Sequence, residues 1–145
     1  MKRVFRINSL HCLVALILLF GIMYIVEKVT PRASVESISQ TRLMEVDFRM
    51  LKDRTHNGIS YVLFYEEDSD RCVRMADNLD RFSEEQKDTH FYCVNIAKHR
   101  QEKFHLRSQV PYVVIYKDGK PIQEVMGIVP VSNLEIIHKR VNRNN

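Results

Sequence analysis

A run of seven residues without a charge, ISYVLFY at 59–65, is the strongest constraint on what this chain can fold into. It is continuous, β-branched and aromatic, the pattern of a strand buried on both faces rather than one. A second run, YVVIY at 112–116, makes the same demand. Strands of this kind need neighbours on either side and cover above and below. In 145 residues that predicts a single α/β domain with little chain left over.

The segments between the runs supply the cover. Glu66, Glu67 and Asp68 follow the first strand, Ser69 is a natural N-cap, and Asp70 suits the first turn of a helix through its dipole. Cys72, Met75, Ala76, Leu79 and Phe82 then recur at helical spacing, predicting one apolar face on a helix that ends near Lys87. Phe91–Ala97 reads as a strand, Lys98–His105 as a short helix, and Val110-Pro111 as a break. Lys117-Asp118-Gly119-Lys120 is a tight hairpin turn, because Asp-Gly tolerates positive φ. Ile122–Met126 returns antiparallel, and Leu134, Ile137 and Val141 mark a final helix over Val131–Val141. Upstream, Val35, Ile38, Leu43, Met44, Val46, Phe48, Met50 and Leu51, with a capping box at Ser37-x-x-Gln40, predict a helix over about 36–54, closed by His56-Asn57-Gly58. The expected order is α-β-α-β-α-β-β-α.

The first thirty residues follow different rules. Met1–Asn8 carries Lys2, Arg3 and Arg6 and no acid, and Leu13–Val26 follows without a charge. A basic start before an apolar run targets the membrane. Extended back to Leu10, the run reaches roughly 25 Å, against a hydrocarbon core about 30 Å thick. Glu27, Lys28 and Val29 come next where a signal peptidase needs small residues, so a retained anchor is expected, with secretion after cleavage as the alternative. The expected division is 1–29 as basic region and signal anchor through Leu10–Val26, 30–36 as a joint, and 37–145 as the folded domain. That domain faces the extracytoplasmic side, the positive residues staying in the cytoplasm. Cys12 is read as a small apolar residue of the anchor.

Composition narrows the chemistry. The net charge of +4 is scattered, with no basic block and no Trp, so no nucleic-acid partner is indicated. Cys12, Cys72 and Cys93 form neither a zinc spacing nor an even disulfide set. His56, His90, His99 and His105 are dispersed, and the last three read as surface residues. No metal or other cofactor is expected.

In this order and spacing the residues resemble the thioredoxin family, from about Ile59 to Val141 and more loosely from Ser37. LFYEEDSDRC, ending at Cys72, falls where that family places Trp-Cys-x-x-Cys. Val110-Pro111 followed by YVVIYKDGK looks like its cis-proline, strand and turn, 39 residues beyond Cys72. Met126-Gly127 and then Asn133-Leu134 fit the end of the domain. The resemblance implies a three-layer fold, a central mixed sheet flanked by helices, with a cis bond at Val110-Pro111 close to Ser69 and Cys72.

The departures from that family bear on function. Dithiol exchange needs an exposed attacking cysteine at the helix start and a resolving cysteine three residues later. Here Ser69 stands at the attacking position and only Cys72 remains. Asp68 replaces the aromatic residue, Asp70-Arg71 replaces the frequent Gly-Pro, and Leu63 and Cys93 stand where the family has a buried acid and its lysine. Two readings follow. One is a membrane-tethered binding module that holds protein or peptide clients at the proline loop without redox turnover, with Tyr65, Val110, Pro111 and Tyr112 at the peptide-binding edge or, for the two tyrosines, simply packed. The other is a thiol–disulfide oxidoreductase acting through Cys72 alone or with Cys93 as a candidate redox pair. A helix packed on a sheet holds backbones about 10 Å apart, whereas a relaxed disulfide needs Cα atoms within about 7 Å. Two buried reduced thiols are therefore expected.

Overall fold

The computed structural model describes residues 9–29, 35–99 and 110–143. The chain divides into two units, Met1–Ala33 and Ser34–Asn145. In the first, helix α1 spans Ser9–Val29, with side chains described for residues 13–24. Those side chains are exposed, Phe20 most of all at 66%. Twelve residues rise roughly 18 Å, and among the described residues no helix is long and apolar enough to cross a membrane. The expected span from Leu10 to Val26 runs past the described side chains at both ends and is not supported by them. The basic start, 1–8, the joint residues 30–34 and the side chain of Cys12 lie outside the described residues.

The second unit is built on a five-stranded sheet. Its strands are β1 (Met44–Glu45), β2 (Ile59–Tyr65), β3 (Thr89–Asn95), β4 (Tyr112–Lys117) and β5 (Lys120–Met126), in the order β1-β3-β2-β4-β5. β2 runs parallel to β3 and antiparallel to β4, so it is the central strand, and all seven of its residues are buried. The alternation of side chains splits them between two covers. Tyr61, Leu63 and Tyr65 pack under α3 (Asp70–Ser83) and α4 (Val131–Arg143), against Cys72, Met75, Leu79, Phe82, Leu134 and Val141. Val62 and Phe64 point the other way, against Val46, Tyr92, Val94, Tyr112 and Leu51 of the short helix α2 (Leu51–Arg54). The mixed α/β architecture is the expected one. The apolar stripe of α3 is buried along its whole length, and the helix stops at Ser83 rather than near Lys87.

The hairpin forms as its sequence requires. Asp118 and Gly119 take φ of 49° and 77°, the paired left-handed values of a tight two-residue turn. The Asp118 carboxylate accepts from the Gly58 N–H at 3.0 Å, and the Gly119 N–H donates to the Thr55 carbonyl at 2.8 Å. The hairpin tip is thereby fastened to the turn that ends α2.

The helix expected over 36–54 does not form as one piece. Short 3-10 turns at Ile38–Gln40 and Phe48–Met50 flank β1, and α2 keeps only four residues. The cause is non-local. The Arg42 N–H donates to the Asp80 carboxylate of α3 at 2.7 Å, and the Val46 N–H donates to the Cys93 carbonyl at 2.9 Å. Both donors are thereby committed to tertiary partners, and the strap 35–46 is drawn along the edge of β3. The Ser37–Gln40 capping box is also altered: the Gln40 side chain accepts from Glu36 N–H instead. Of the expected helix 98–105, Lys98 and His99 close a 3-10 turn at Ile96–His99, and residues 100–109 lie outside the described residues.

Candidate functional site

The carboxyl end of β2 delivers the chain into α3 through Glu66–Ser69. Ser69 is extended, with φ −113° and ψ 108°, and its carbonyl accepts from the N–H groups of Cys72 at 2.9 Å and Val73 at 3.1 Å. It is therefore the N-cap by position, as expected, but its hydroxyl makes no capping bond. Cys72 lies one turn in and is 0% exposed. An incoming disulfide has no thiol to meet at this helix start.

Cys93 sits on β3 between β1 and β2, level with Glu45 on one side and Leu63 on the other. It is buried, and its sulfur lies 4.0 Å from the Leu43 carbonyl. Burial, seconded by Glu45 and opposed by Lys98, pushes its thiol up to about 12. Cys93 is therefore a neutral, poorly nucleophilic thiol at physiological pH. Cys72 and Cys93 share one core cluster and both are free. Leu63 is 0% exposed, so the space under the start of α3 is apolar.

The Val110-Pro111 bond is cis, as expected. Val110 packs against the cluster containing Cys72, and the Pro111 carbonyl accepts from the Gly127 N–H at 2.8 Å. Gly127, at φ 80°, ends β5. A methyl group built on it would lie 3.8 Å from Nη2 of Arg71, so the guanidinium next to Cys72 reaches over this glycine. The following loop is clipped to α3: the Asn78 amide donates to the Val129 carbonyl at 2.9 Å, and the Val129 N–H donates to the Met75 sulfur at 3.2 Å. Thus Arg71, Pro111 and Gly127 gather at one edge, with Ser69 two residues before Arg71 in the chain.

The two tyrosines proposed for that edge are packed. Tyr65 and Tyr112 are 5% and 6% exposed, and Tyr112 lies 6.0 Å from Phe64, ring to ring. The apolar side chains that do reach solvent there are Met126 and Ile128, on either side of Gly127. Sequence reasoning used Met126 only as a landmark and passed over Ile128. Their signal was available, since apolar residues beside a glycine at a strand end, opposite a proline, belong to the same edge. Glu66, Glu67, Asp68 and Asp70 are exposed around the helix start, and Glu67 accepts from the Asn95 amide at 2.7 Å.

One buried polar pair lies at the other end of β2. The Tyr61 hydroxyl and Nδ1 of His138 are 3.2 Å apart, within an aromatic cluster that includes Phe82 and Phe91. His138 did not figure in the sequence analysis. Among the described residues no group of three or more His, Cys, Asp or Glu could hold a metal ion.

No family model matches the chain, and no curated protein sequence does. Solved structures do match. A designed protein is 25% identical, with a TM-score of 0.59, over 68% of this chain and 96% of that one. Chloroplastic thioredoxin z is 16% identical, with a TM-score of 0.62, over 70% and 95%. A chain from the structure of the thiol resolving mechanism in yeast mitochondrial 1-Cys peroxiredoxin via glutathione/thioredoxin systems is 18% identical, with a TM-score of 0.55, over 72% and 99%. The fold is therefore thioredoxin-like.

Proposed function

We propose that this thioredoxin-like domain is a binding module that holds an extended segment of a client protein or peptide at the proline edge without dithiol turnover. One observation carries the reading. The residue at the helix entrance is Ser69, and the thiol one turn further in, Cys72, is fully buried. A serine cannot form a mixed disulfide, and a buried resolving thiol has nothing to resolve. What the edge does offer is the backbone of Val110 before the cis-proline, exposed apolar side chains at Met126 and Ile128, and a mixed rim of Arg71, Asp68 and Asp70. Extended peptides dock on such edges by strand-like hydrogen bonds, with side-chain pockets adding selectivity.

The same reading tethers the domain to a bilayer through Leu10–Val26, with residues 37–145 on the extracytoplasmic side. The basic start and the uncharged run support it. A reporter fused after Asn145 is expected to be active outside the cytoplasm. A mature protein that begins near Ser34 would replace the anchor with a cleaved leader.

The deciding experiment for the module is insulin reduction. The native chain is expected to be inactive, and Ser69→Cys to gain measurable reduction by restoring the pair with Cys72. Robust reduction by the native chain, abolished by Cys72→Ala, would favour a thiol–disulfide oxidoreductase instead. The specific feature behind that second reading is that Cys72 and Cys93 are both free and share one core cluster.

A further inference from the structure

Beneath the strap, where it runs along β3, lies a cavity of about 330 Å³. Ile38, Leu43 and Cys93 form its apolar wall, and Glu45, Glu67 and Tyr65 its polar one. It is separate from the proline edge. Two serines at its rim, Ser37 and Ser39, hydrogen-bond each other at 3.0 Å and are thereby occupied.

Tyr65 is the unusual member. It is 5% exposed as a whole residue, and its hydroxyl makes no hydrogen bond among the described residues although it is not one of their sealed, unpartnered atoms. It lines this cavity together with Cys93, Glu45 and Glu67. A hydroxyl without a protein partner beside the cavity is available to a ligand atom there.

The charge around the cavity is also unbalanced. Glu45 has a cation, Lys98, at 2.6 Å. Glu67 takes a direct hydrogen bond from the neutral Asn95 amide and shares Lys98 with Glu45 only at longer range, so one cation faces two carboxylates. Cys93 contributes no charge, since its thiol is held protonated to about 12. The donor set is wrong for a metal. Carboxylate, hydroxyl and an apolar wall together suit an organic cation.

We propose that this cavity binds a small organic cation, a primary ammonium or guanidinium on a short apolar stem. The charged head sits between Glu67 and the Tyr65 hydroxyl, and the stem lies against Ile38, Leu43 and Cys93. At its size the cavity is at the lower end for ligand sites and takes a stem of only a few carbons. The ligand is either a free amine or the lysine or arginine side chain of a bound polypeptide.

The test is calorimetric titration of the full chain in detergent with n-butylammonium, with n-butanol as the neutral counterpart. Saturable binding of the amine is expected, with none of the alcohol. Glu67→Gln, at an exposed position, should weaken it about tenfold or more, as for other charge-assisted hydrogen bonds. Tyr65→Phe should weaken it severalfold while leaving the thermal midpoint near that of the native chain, since the hydroxyl makes no hydrogen bond among the described residues. Three results would overturn the proposal: equal binding of butanol, unchanged affinity in both variants, or displacement of the amine by calcium at equal concentration. An acetylated pentapeptide with a central lysine, compared with its norleucine analogue, then separates the sources. Tighter binding than butylammonium, lost with norleucine, assigns the cation to a polypeptide side chain. Binding no tighter than butylammonium assigns it to a free amine. Either result sustains the site.

Discussion

The two ends of β2 are built on opposite terms. At the Tyr61 end a polar pair is enclosed by aromatic rings: Tyr61 with His138, inside a ring of Phe82 and Phe91 with centroids 5.4–6.0 Å apart, beside a Ser60 hydroxyl that is buried without a partner among the described residues. At the Tyr65 end the charged groups Glu66, Glu67, Asp68 and Asp70 are exposed, Tyr65 lines a cavity, and the two thiols are buried and free. Close aromatic packing contributes stability, whereas exposed charge and an open cavity are available to a partner. The comparison assigns stability to one end of the central strand and binding to the other.

The largest expected effect tests the first half of that assignment. Phe82 is 1% exposed and meets Tyr61, Phe91 and His138. Phe82→Ala should destabilise the domain by about 3–5 kcal/mol, measured as a shift in urea unfolding. Met126→Ala, at an exposed position of the other end, should stay within about 0.5 kcal/mol and act on client binding instead. Comparable losses of stability from the two variants would erase the distinction.

Next in size is the clamp that holds the strap. Asp80 is 1% exposed and accepts from the Arg42 N–H at 2.7 Å, with Arg42 Nε at 3.3 Å, while Arg42 also pairs with Glu84. Asp80→Ala strands a backbone donor and should cost about 1–3 kcal/mol. It should also raise amide exchange across 38–46 more than across β4. Exchange that rises evenly over the whole sheet would show that the clamp stabilises the domain in general and does not hold this segment in particular.

That clamp also marks where the sequence stops being legible. β2 and β4 could be read because burial on both faces removes alternation and leaves continuous apolar runs. α3 could be read because one buried face imposes i, i+3, i+4 spacing, and the hairpin because Asp118-Gly119 supplies positive φ. The strap could not. Its apolar residues fit a helix, but Arg42 and Val46 find partners on Asp80 and Cys93, 38 and 47 residues away. At the site, local pattern made Ser69 at the helix entrance and buried Cys72 readable, and the family resemblance made the cis-proline so. The cavity was not, because its walls come from the strap, β1, β2 with the residues that follow it, and β3. Likewise the partner that makes His138 a buried residue, Tyr61, lies 77 residues upstream.

His138 gives the next test, through pH. Burial lowers its pKa below the ordinary 6.5. In the unfolded chain the imidazole gains its proton first as pH falls, so protonation favours unfolding. The stability that depends on a neutral His138 is complete above pH 6.5 and is lost as pH falls through the lower folded value, with a slope bounded by one proton. Urea midpoints between pH 7.5 and pH 5 should show this fall, and His138→Phe should flatten it. If His138→Phe leaves the slope unchanged, the acid sensitivity belongs to other groups and the Tyr61 end is not its origin.

The smallest expected effect concerns Ser69. Removing an N-cap serine ordinarily costs about 0.5–2 kcal/mol, because its side-chain oxygen satisfies a free N–H of the first turn. Here the backbone carbonyl of Ser69 accepts from Cys72 and Val73, while the hydroxyl makes no capping bond. Ser69→Ala keeps the carbonyl and removes only the idle hydroxyl, so stability should change by no more than about 0.5 kcal/mol. A serine that contributes so little to its own helix is free to be exchanged, and Ser69→Cys should then gain insulin reduction without losing stability. A loss above about 1 kcal/mol in Ser69→Ala would mean that the hydroxyl caps α3 in solution. The Tyr65 end would then carry stability of its own, and the contrast between the two ends of β2 would narrow at the residue on which the proposed function most depends.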